Sequence, residues 1–215
     1  MTDLQTGDLL LFVSDSSSWF FRSLSNMISW GTHSNYTHIA MVLRDPVFSD
    51  MPPLKGLYVW ESSWEGKPDP QDGKIKLGVQ ITPLQEILEA YKDKGHVFLR
   101  KLKRNLHHHC PTCCQTVDHL FTKEKLEEIH TIVYDKPYDI VPRDWIEAFF
   151  HIDSAPQKTS RFWCAALVGY IYTKVGILKP ETDWSILTPN DFSLSGENLD
   201  FKNGNVLEDV IKKIE

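Results

Sequence analysis

The chain has 215 residues, 41% of them hydrophobic and 24% charged, and its formal net charge is −6. This balance is typical of a globular protein with one sizeable core. The negative charge excludes a protein built mainly to bind nucleic acid, because a phosphate backbone is bound by clustered cations. The single basic run, residues 100–104, is interpreted as a solvated strand edge, with a patch for an anionic partner as the alternative.

The first apolar run, residues 9–13, follows two aspartates rather than basic residues. We therefore interpret it as a buried strand and not as a secretion signal. No stretch of the sequence has the length of a membrane span, so we expect a cytoplasmic protein. The four cysteines agree with a reducing compartment, because three of them are crowded at 110–114 and do not form the pattern of a disulfide framework.

The N-terminal half is predicted to alternate strands with short helices. After a strand at 8–13, several serines are suited to cap an aromatic-rich helix that runs to about Ser29. This helix is interpreted as core-packed, with a lipid-contacting helix as the alternative. The β-forming stretches 37–43 and 57–61 are expected to pair as antiparallel strands. There follow a loop at 65–75, a short helix after Thr82-Pro83 and a strand at 96–102.

The C-terminal half begins with an irregular segment at 104–120 and a helix at 122–133. After a polar loop, the stretch FWCAALVGYIYTKV predicts a helix at 162–175 that Thr159 or Ser160 helps to cap. A turn at 187–192 and a last strand with a short helix, within 198–212, complete the chain. Since the sequence contains no repeat and no linker, we predict one α+β domain over residues 1–215.

Cys164 stands near the start of the helix predicted at 162–175. Unpaired backbone N–H groups and the positive end of the helix dipole favour a thiolate there, and the same groups can stabilise the oxyanion of an acyl-transfer reaction. Ala165, Ala166 and Gly169 are small enough to let the helix pack closely against a sheet. From its position alone, the alternative is a buried and inert cysteine.

A cysteine nucleophile needs a base, and the base needs an orienting partner. Among nine histidines, His38 opens a predicted strand whose same-face neighbours, Ala40 and Val42, are compact enough to lie beneath a helix. Glu61 ends the apolar run LYVW, where its carboxylate could accept a hydrogen bond from the imidazole and select its tautomer. At this point a structural histidine and a solvated glutamate are the alternatives.

The segment HHHCPTCC contains one C-x-x-C pair, Cys110 and Cys113. A structural zinc site usually has two well-separated pairs of ligands. We therefore interpret the segment as a surface loop and predict no cofactor, with a metal site or a redox pair as the alternatives.

The order of GDLLLF, YTHIAMV, VWES, FWCAALVGYIY and LTPNDF resembles the circularly permuted, NlpC-like class of papain-like cysteine hydrolases. It is most similar to the branch with YiiX-type proteins and related poxvirus virion proteins. The resemblance covers residues 6–62 and 135–193 well. It implies a small antiparallel sheet or barrel with the nucleophile helix packed on it, and a family-specific insertion around 63–134.

The resemblance also implies a site. The family's nucleophile falls on Cys164, its base on His38 and its third polar residue on Glu61, while Tyr138 of KPYD is similar to the tyrosine that lines the family's site. Trp163 is expected beside the substrate and the oxyanion. The implied reaction is hydrolysis or transfer of an acyl group through a thioester, on an amide or ester substrate of peptide or lipid type.

Two other functions are open alternatives. The related lecithin:retinol acyltransferase-like branch has a second histidine where this chain has Glu61, which favours hydrolysis over a dedicated lipid acyltransferase. A lipid acyltransferase or lipid-binding enzyme with peripheral membrane contact is the first alternative. A non-catalytic interaction protein, in a virion by analogy with the family, is the second.

Overall fold

The computed structural model describes residues 3–14, 36–64, 66–104, 120–139, 159–196 and 199–214. The strands in these ranges are β1 (Leu9–Ser14), β2 (His38–Arg44), β3 (Leu57–Ser63), β4 (Gly78–Pro83), β5 (Gly95–Lys103) and β6 (Val206–Ile214). The helices are α1 (Leu84–Tyr91), α2 (Lys123–Val133) and α3 (Cys164–Val175), and a 3-10 turn covers Trp184–Ile186. The α+β class that the sequence predicts is confirmed.

All six strands form one antiparallel sheet in the order β4-β3-β2-β1-β5-β6. The predicted pairing of 37–43 with 57–61 is confirmed, since β2 and β3 pair antiparallel from Met41–Trp60 to Arg44–Leu57. Among the described strands, β4 and β6 have one neighbour each, so the sheet is open and does not close into a barrel.

Each face of the sheet carries its own apolar cluster, because successive side chains of a strand point to opposite faces. On one face, Ile39 and Met41 pack with α2 and α3, and on the other face Ala40 and Val42 pack with α1. The helix over Ala40 and Val42 is therefore α1. The cysteine helix covers the opposite face, so α3 can reach His38 only at the end of the sheet.

Helix α3 is almost entirely buried, and its close contacts differ from those predicted. A Cβ atom built on Gly169 would lie 2.6 Å from Leu187 Cδ1 and 3.1 Å from Trp184 Cβ. The absence of a side chain at Gly169 therefore makes room for the 3-10 turn and for Leu187, and not for the sheet.

Two predictions about the edges of the sheet are wrong. Strand β5 lies between β1 and β6, so the basic run 100–104 begins in the sheet interior. Arg100 is buried, and its guanidinium donates to the carbonyl oxygens of Phe192, Ser193 and Glu208 at 2.8, 2.6 and 2.9 Å. The short helix predicted within 198–212 is absent from the described residues 199–214, where β6 continues as one strand along β5 to Ile214.

The loop between β3 and β4 is fastened to the C-terminal end of α2 by a partly buried ionic cluster, here named the loop clamp: Asp69, Asp72, Lys76 and Tyr134. The ammonium of Lys76 lies 3.0 Å from the Asp69 carboxylate and 3.1 Å from that of Asp72. The Tyr134 hydroxyl donates to Asp72 at 2.7 Å. Because Lys76 lies two residues before β4, the clamp anchors the start of that strand.

Some predictions concern segments that lie wholly or partly outside the described ranges. The aromatic helix predicted to end near Ser29 and the Cys110–Cys113 pair lie outside the described residues. Within 63–134, β4, α1 and β5 are integral to the sheet and its helical layer. The single-domain organisation and the insertion relative to the resembled family stay predictions. No helix within the described ranges is long and apolar enough to span a membrane.

Candidate active site

Four of the predicted site residues meet at one end of the sheet. His38 is the first residue of β2 and Cys164 is the first residue of α3, while Glu61 lies near the end of β3. The pairing of β2 with β3 starts at Met41, three residues after His38, so the site lies where the two strands no longer pair. Tyr138 reaches the same place from the segment that follows α2.

Glu61 is fully buried, and both of its carboxylate oxygens are hydrogen-bonded. Oε2 lies 2.9 Å from Nε2 of His38. Oε1 accepts from the hydroxyl of Thr82 at 2.8 Å and from the amide of Gln80 at 3.3 Å. Gln80 is directly opposite Glu61 in the β3–β4 pairing. Since a buried carboxylate is costly unless its oxygens are satisfied, these contacts hold Glu61 in one orientation toward the imidazole.

His38 lies between the carboxylate and the thiol. Its side chain is 12% exposed, and its ring packs at a tilt on Phe12 with 5.1 Å between centroids. Nε2 is engaged with Glu61, which leaves Nδ1 for the hydrogen bond to Cys164. Burial by itself lowers the pKa of His38, but the hydrogen bonds to Cys164 and Glu61 and the negative charges of these groups raise that pKa to about 10. The imidazole is therefore protonated at neutral pH.

Tyr138 is carried by a short extended segment that pairs on both sides. One side lies against β4, where Val79 N–H donates to Lys136 O at 2.8 Å and Tyr138 N–H donates to Leu77 O at 3.1 Å. A Cβ atom on Gly78, whose φ is +151°, would lie 2.2 Å from Lys136 O, so this approach requires glycine. The other side pairs with Phe162.

The Tyr138 hydroxyl is hydrogen-bonded to Cys164. Desolvation, the charge of Cys164 and the charge of Asp139 together raise the pKa of Tyr138 well above its ordinary value. The phenol therefore keeps its proton and donates to the sulfur.

Helix α3 starts two residues later than predicted. Phe162 is held extended, because its N–H donates to Pro137 O and its carbonyl accepts from Asp139 N–H, each at 3.1 Å, and from the Ser62 hydroxyl at 2.6 Å. The N-cap is therefore Trp163, with no side-chain cap, and the capping role predicted for Thr159 or Ser160 is wrong.

The first hydrogen bond of α3 runs from Leu167 N–H to Trp163 O at 3.1 Å. The N–H groups of Cys164, Ala165 and Ala166 therefore have no acceptor within the helix. These donors lie at the base of the Cys164 side chain, where an oxyanion would form in an attack of the sulfur on a carbonyl.

Trp163 has a distinctive polar atom. Its side chain packs against the α3 core, and its indole Nε1 is buried with no hydrogen-bond partner within the described part of the chain. A buried indole N–H usually has an acceptor. Its predicted position beside the substrate and the oxyanion stays a prediction.

Sequence reasoning missed the residues that support the site. Gln80, Thr82, Ser62 and Gly78 were not predicted, although two polar residues at alternate positions of an apolar strand, Gln80 and Thr82, are a usable signal for a buried polar partner. Within the described ranges, no group of three or more His, Cys, Asp or Glu side chains is arranged to hold a metal ion.

Comparison with known proteins finds a distant structural likeness but no match to a family model or to a curated protein. No protein-family model matches the chain, and no curated protein matches it. Among solved structures, the crystal structure of the metalloprotein yiiX from Escherichia coli O157:H7 aligns with 80% of this chain at 21% identity and a TM-score of 0.43. The alignment spans 66% of the yiiX chain, so a third of yiiX has no counterpart here. A likeness of this size carries no information about activity.

Proposed function

We propose that the protein is a cysteine hydrolase of amide or ester bonds with a circularly permuted papain-like arrangement of its catalytic residues. Cys164 is the nucleophile, His38 the general base and acid, and Glu61 the group that orients His38. The observation that carries the proposal is the 2.9 Å hydrogen bond between His38 Nε2 and the fully buried Glu61 carboxylate, with Cys164 near enough to His38 to raise the pKa of the imidazole. A purely structural core would be more stable with apolar residues at these positions.

The first half of the reaction forms a thioester. The Cys164 thiolate attacks the substrate carbonyl carbon, so that a C–S bond forms and the carbonyl π electrons move to oxygen. The free N–H groups at the start of α3 stabilise this oxyanion. His38 then gives its Nδ1 proton to the leaving nitrogen or oxygen as the C–N or C–O bond breaks.

The second half returns the enzyme to its starting state. Neutral His38 takes a proton from water, and the hydroxide adds to the thioester carbonyl. The C–S bond breaks, the acid product leaves, and the thiolate is again paired with the protonated imidazole. The three hydrogen bonds that Glu61 accepts keep the ring in place through both steps.

Tyr138 and Trp163 complete the proposed site. Tyr138 donates a hydrogen bond to the Cys164 sulfur. Its hydroxyl can donate to the substrate carbonyl oxygen instead, once the C–S bond forms and the negative charge moves to that oxygen. The unpartnered indole N–H of Trp163 is the second side-chain donor that we assign to the substrate. Peripheral membrane contact, a cytoplasmic location and an association with virions stay predictions.

Labelling with an electrophilic acyl probe at pH 7 tests the proposal. Tryptic mass spectrometry should place the label on Cys164 in the wild type. Cys110, Cys113 and Cys114 serve as internal controls of ordinary thiol reactivity. Cys164→Ala should lose the label, and His38→Ala should slow its formation about a hundredfold or more. The proposal fails if Cys164 reacts no faster than the other three cysteines.

A further inference from the structure

Three exposed apolar side chains follow directly on the paired ends of β3 and β4. Trp64, Ile75 and Leu77 are 45%, 54% and 39% exposed, and they are here named the apolar shelf. Ser63 is opposite Gly78 in the sheet, so the next pair along the two chains is Trp64 and Leu77. Ile75 lies two residues before Leu77, on the same side of an extended segment whose intervening residue, Lys76, is turned into the loop clamp.

The apolar shelf begins beside the candidate nucleophile. Leu77 is directly opposite Tyr138, whose backbone N–H donates to Leu77 O at 3.1 Å. Side chains of directly opposite residues share a face and lie about 5 Å apart at Cβ. Since the Tyr138 hydroxyl is hydrogen-bonded to Cys164, one side chain separates Leu77 from the sulfur.

The neighbouring sheet edge is closed to an added peptide strand. On the outer side of β4, Val79 N–H donates to Lys136 O at 2.8 Å and Ile81 N–H donates to the Asp69 carboxylate at 3.3 Å. The next residue that faces outward, Pro83, has no N–H. A peptide that approached the site along this edge would find no free donor on β4.

Two described lysines near the apolar shelf in the chain are held in ion pairs. Lys67 lies 3.0 Å from Glu86, and Lys74 lies 3.5 Å from Asp72 and 3.6 Å from Asp135. What the apolar shelf itself offers is hydrocarbon contact, beside a sheet edge that is closed to an added strand.

We propose that the apolar shelf binds the hydrocarbon chain of the acyl group that Cys164 attacks, so that the substrate is an ester or amide of a medium- or long-chain acid. The inference rests on the proposed function, because it needs an acyl group bound at the sulfur. It adds that the acyl side of the substrate is recognised by its apolar length. Each methylene that leaves water for such a surface increases binding, by about twofold where it is half covered.

Acylation by p-nitrophenyl esters of increasing chain length tests the inference. The acetyl, butyryl, hexanoyl and octanoyl esters are compared by release of p-nitrophenolate and by the mass of the acyl group on Cys164. In the wild type, the second-order rate constant should rise about tenfold or more from acetyl to octanoyl. Leu77→Ser and Trp64→Ser should flatten this rise, and Leu77→Met should keep it.

Val210→Ser is the matched control, because Val210 is 52% exposed on β6 at the other edge of the sheet. It should keep the full dependence on chain length. Three outcomes would overturn the inference while the proposed function stands. The rate constant could be independent of chain length in the wild type, or it could rise equally in both serine variants. Acylation by a peptidyl ester could also be faster than acylation by the octanoyl ester. Failure of every ester to acylate Cys164 would overturn the proposed function itself.

Discussion

Two buried histidines occupy polar clusters of the same fold, and their pKa values move in opposite directions. The pKa of His38 is raised to about 10, against the effect of burial, by the neighbouring thiol and carboxylate. His130 of α2 stacks on Phe48 with ring centroids 4.0 Å apart, and its Nε2 lies 2.6 Å from the neutral amide of Gln71. Burial lowers the pKa of His130. The carboxylate of Asp50 opposes this change but does not outweigh it, because Asp50 is 3.8 Å away and exposed. Partners, rather than burial, decide which buried histidine carries a proton.

The comparison extends to two buried carboxylates, that of Asp69 in the loop clamp and that of Glu61 in the candidate site. Asp69 in the loop clamp meets a permanent cation, Lys76, and so forms an ion pair that needs no proton transfer. Glu61 meets a histidine that can give and take a proton. Both carboxylates are buried and hydrogen-bonded, but only Glu61 is paired with a residue, His38, that can gain or lose a charge without moving. Variants of these two histidines and two carboxylates distinguish a catalytic role from a structural one.

The largest expected difference is between the two histidines. His38→Gln should lower acylation of Cys164 about a thousandfold, because the proton carrier is lost. His130→Gln should leave the rate within about threefold, since its cluster does not touch the sulfur. Single-turnover acylation at pH 7, normalised to folded protein, measures both. An equal loss in the two variants would mean that His38 acts only through the fold.

The carboxylates should differ by a smaller factor. Glu61→Gln keeps the volume but removes the charge, so it should lower the pKa of His38 and reduce acylation about a hundredfold at pH 7. Asp69→Asn should reduce stability and leave the rate of the folded fraction nearly unchanged. The pH dependence of Cys164 alkylation checks the mechanism. If it does not move in Glu61→Gln, the carboxylate does not support the protonated imidazole.

A smaller effect is expected at the start of β4, where Gly78 lies between the loop clamp and the Tyr138 segment. Gly78→Ala should displace Lys136 and Tyr138, because the new Cβ would lie 2.2 Å from Lys136 O. We expect about a tenfold loss of acylation, and a destabilisation of about 2 kcal/mol from strain and crowding. Gly73→Ala is the matched control, since Gly73 also has a positive φ of 72° but has nothing within 4 Å of a Cβ. It should show the strain cost without the loss of activity; similar activity in both variants would contradict the placement of Tyr138.

A last effect concerns stability as a function of pH and not the rate of acylation. Relative to an ordinary histidine pKa of 6.5, the raised pKa of His38 stabilises the fold fully below pH 6.5, and this contribution is lost as the pH rises toward 10. The lowered pKa of His130 stabilises the fold above pH 6.5, and this contribution is lost as the pH falls below that value. His130 faces Asp50, Glu127, Asp69 and Lys76, and their charges are part of the same balance.

Urea unfolding from pH 5 to pH 10 measures both contributions. Compared with the wild type, His130→Gln should flatten the acid side of the profile, and His38→Gln should flatten the alkaline side. The same side flattened in both variants would refute the opposite assignment of the two histidines.

Local sequence patterns were sufficient for much of the fold. Apolar and β-forming runs predicted β1, β2, β3 and β5, and helical spacing with a Pro before the first turn predicted α1. The residues of the Cys164–His38–Glu61 series came from single-residue chemistry combined with the order of motifs. The structure brings these three together, although they lie on three separate elements.

What the sequence could not predict depends on contacts between distant segments. The start of α3 is set by the pairing of Phe162 with the Tyr138 segment, and not by a nearby serine or threonine. Arg100 is charged, yet it is buried because three carbonyl oxygens from the two segments around 192 and 208 surround it. The roles of Gln80 and Thr82 follow from a strand register that only the assembled sheet defines.

The extended backbone of Phe162 has a consequence for how activity arises in time. The Ser62 hydroxyl holds Phe162 O at 2.6 Å across a separation of 100 residues, and α3 with Cys164 starts only two residues further on. During synthesis the residues of β2, β3 and β4 therefore emerge well before the thiol does. Under the proposed function, the thiol gains its base only when α3 docks, and until then Cys164 reacts as an ordinary cysteine. The rate at which Cys164 reacts with an electrophile would then report the completion of folding, without an added probe.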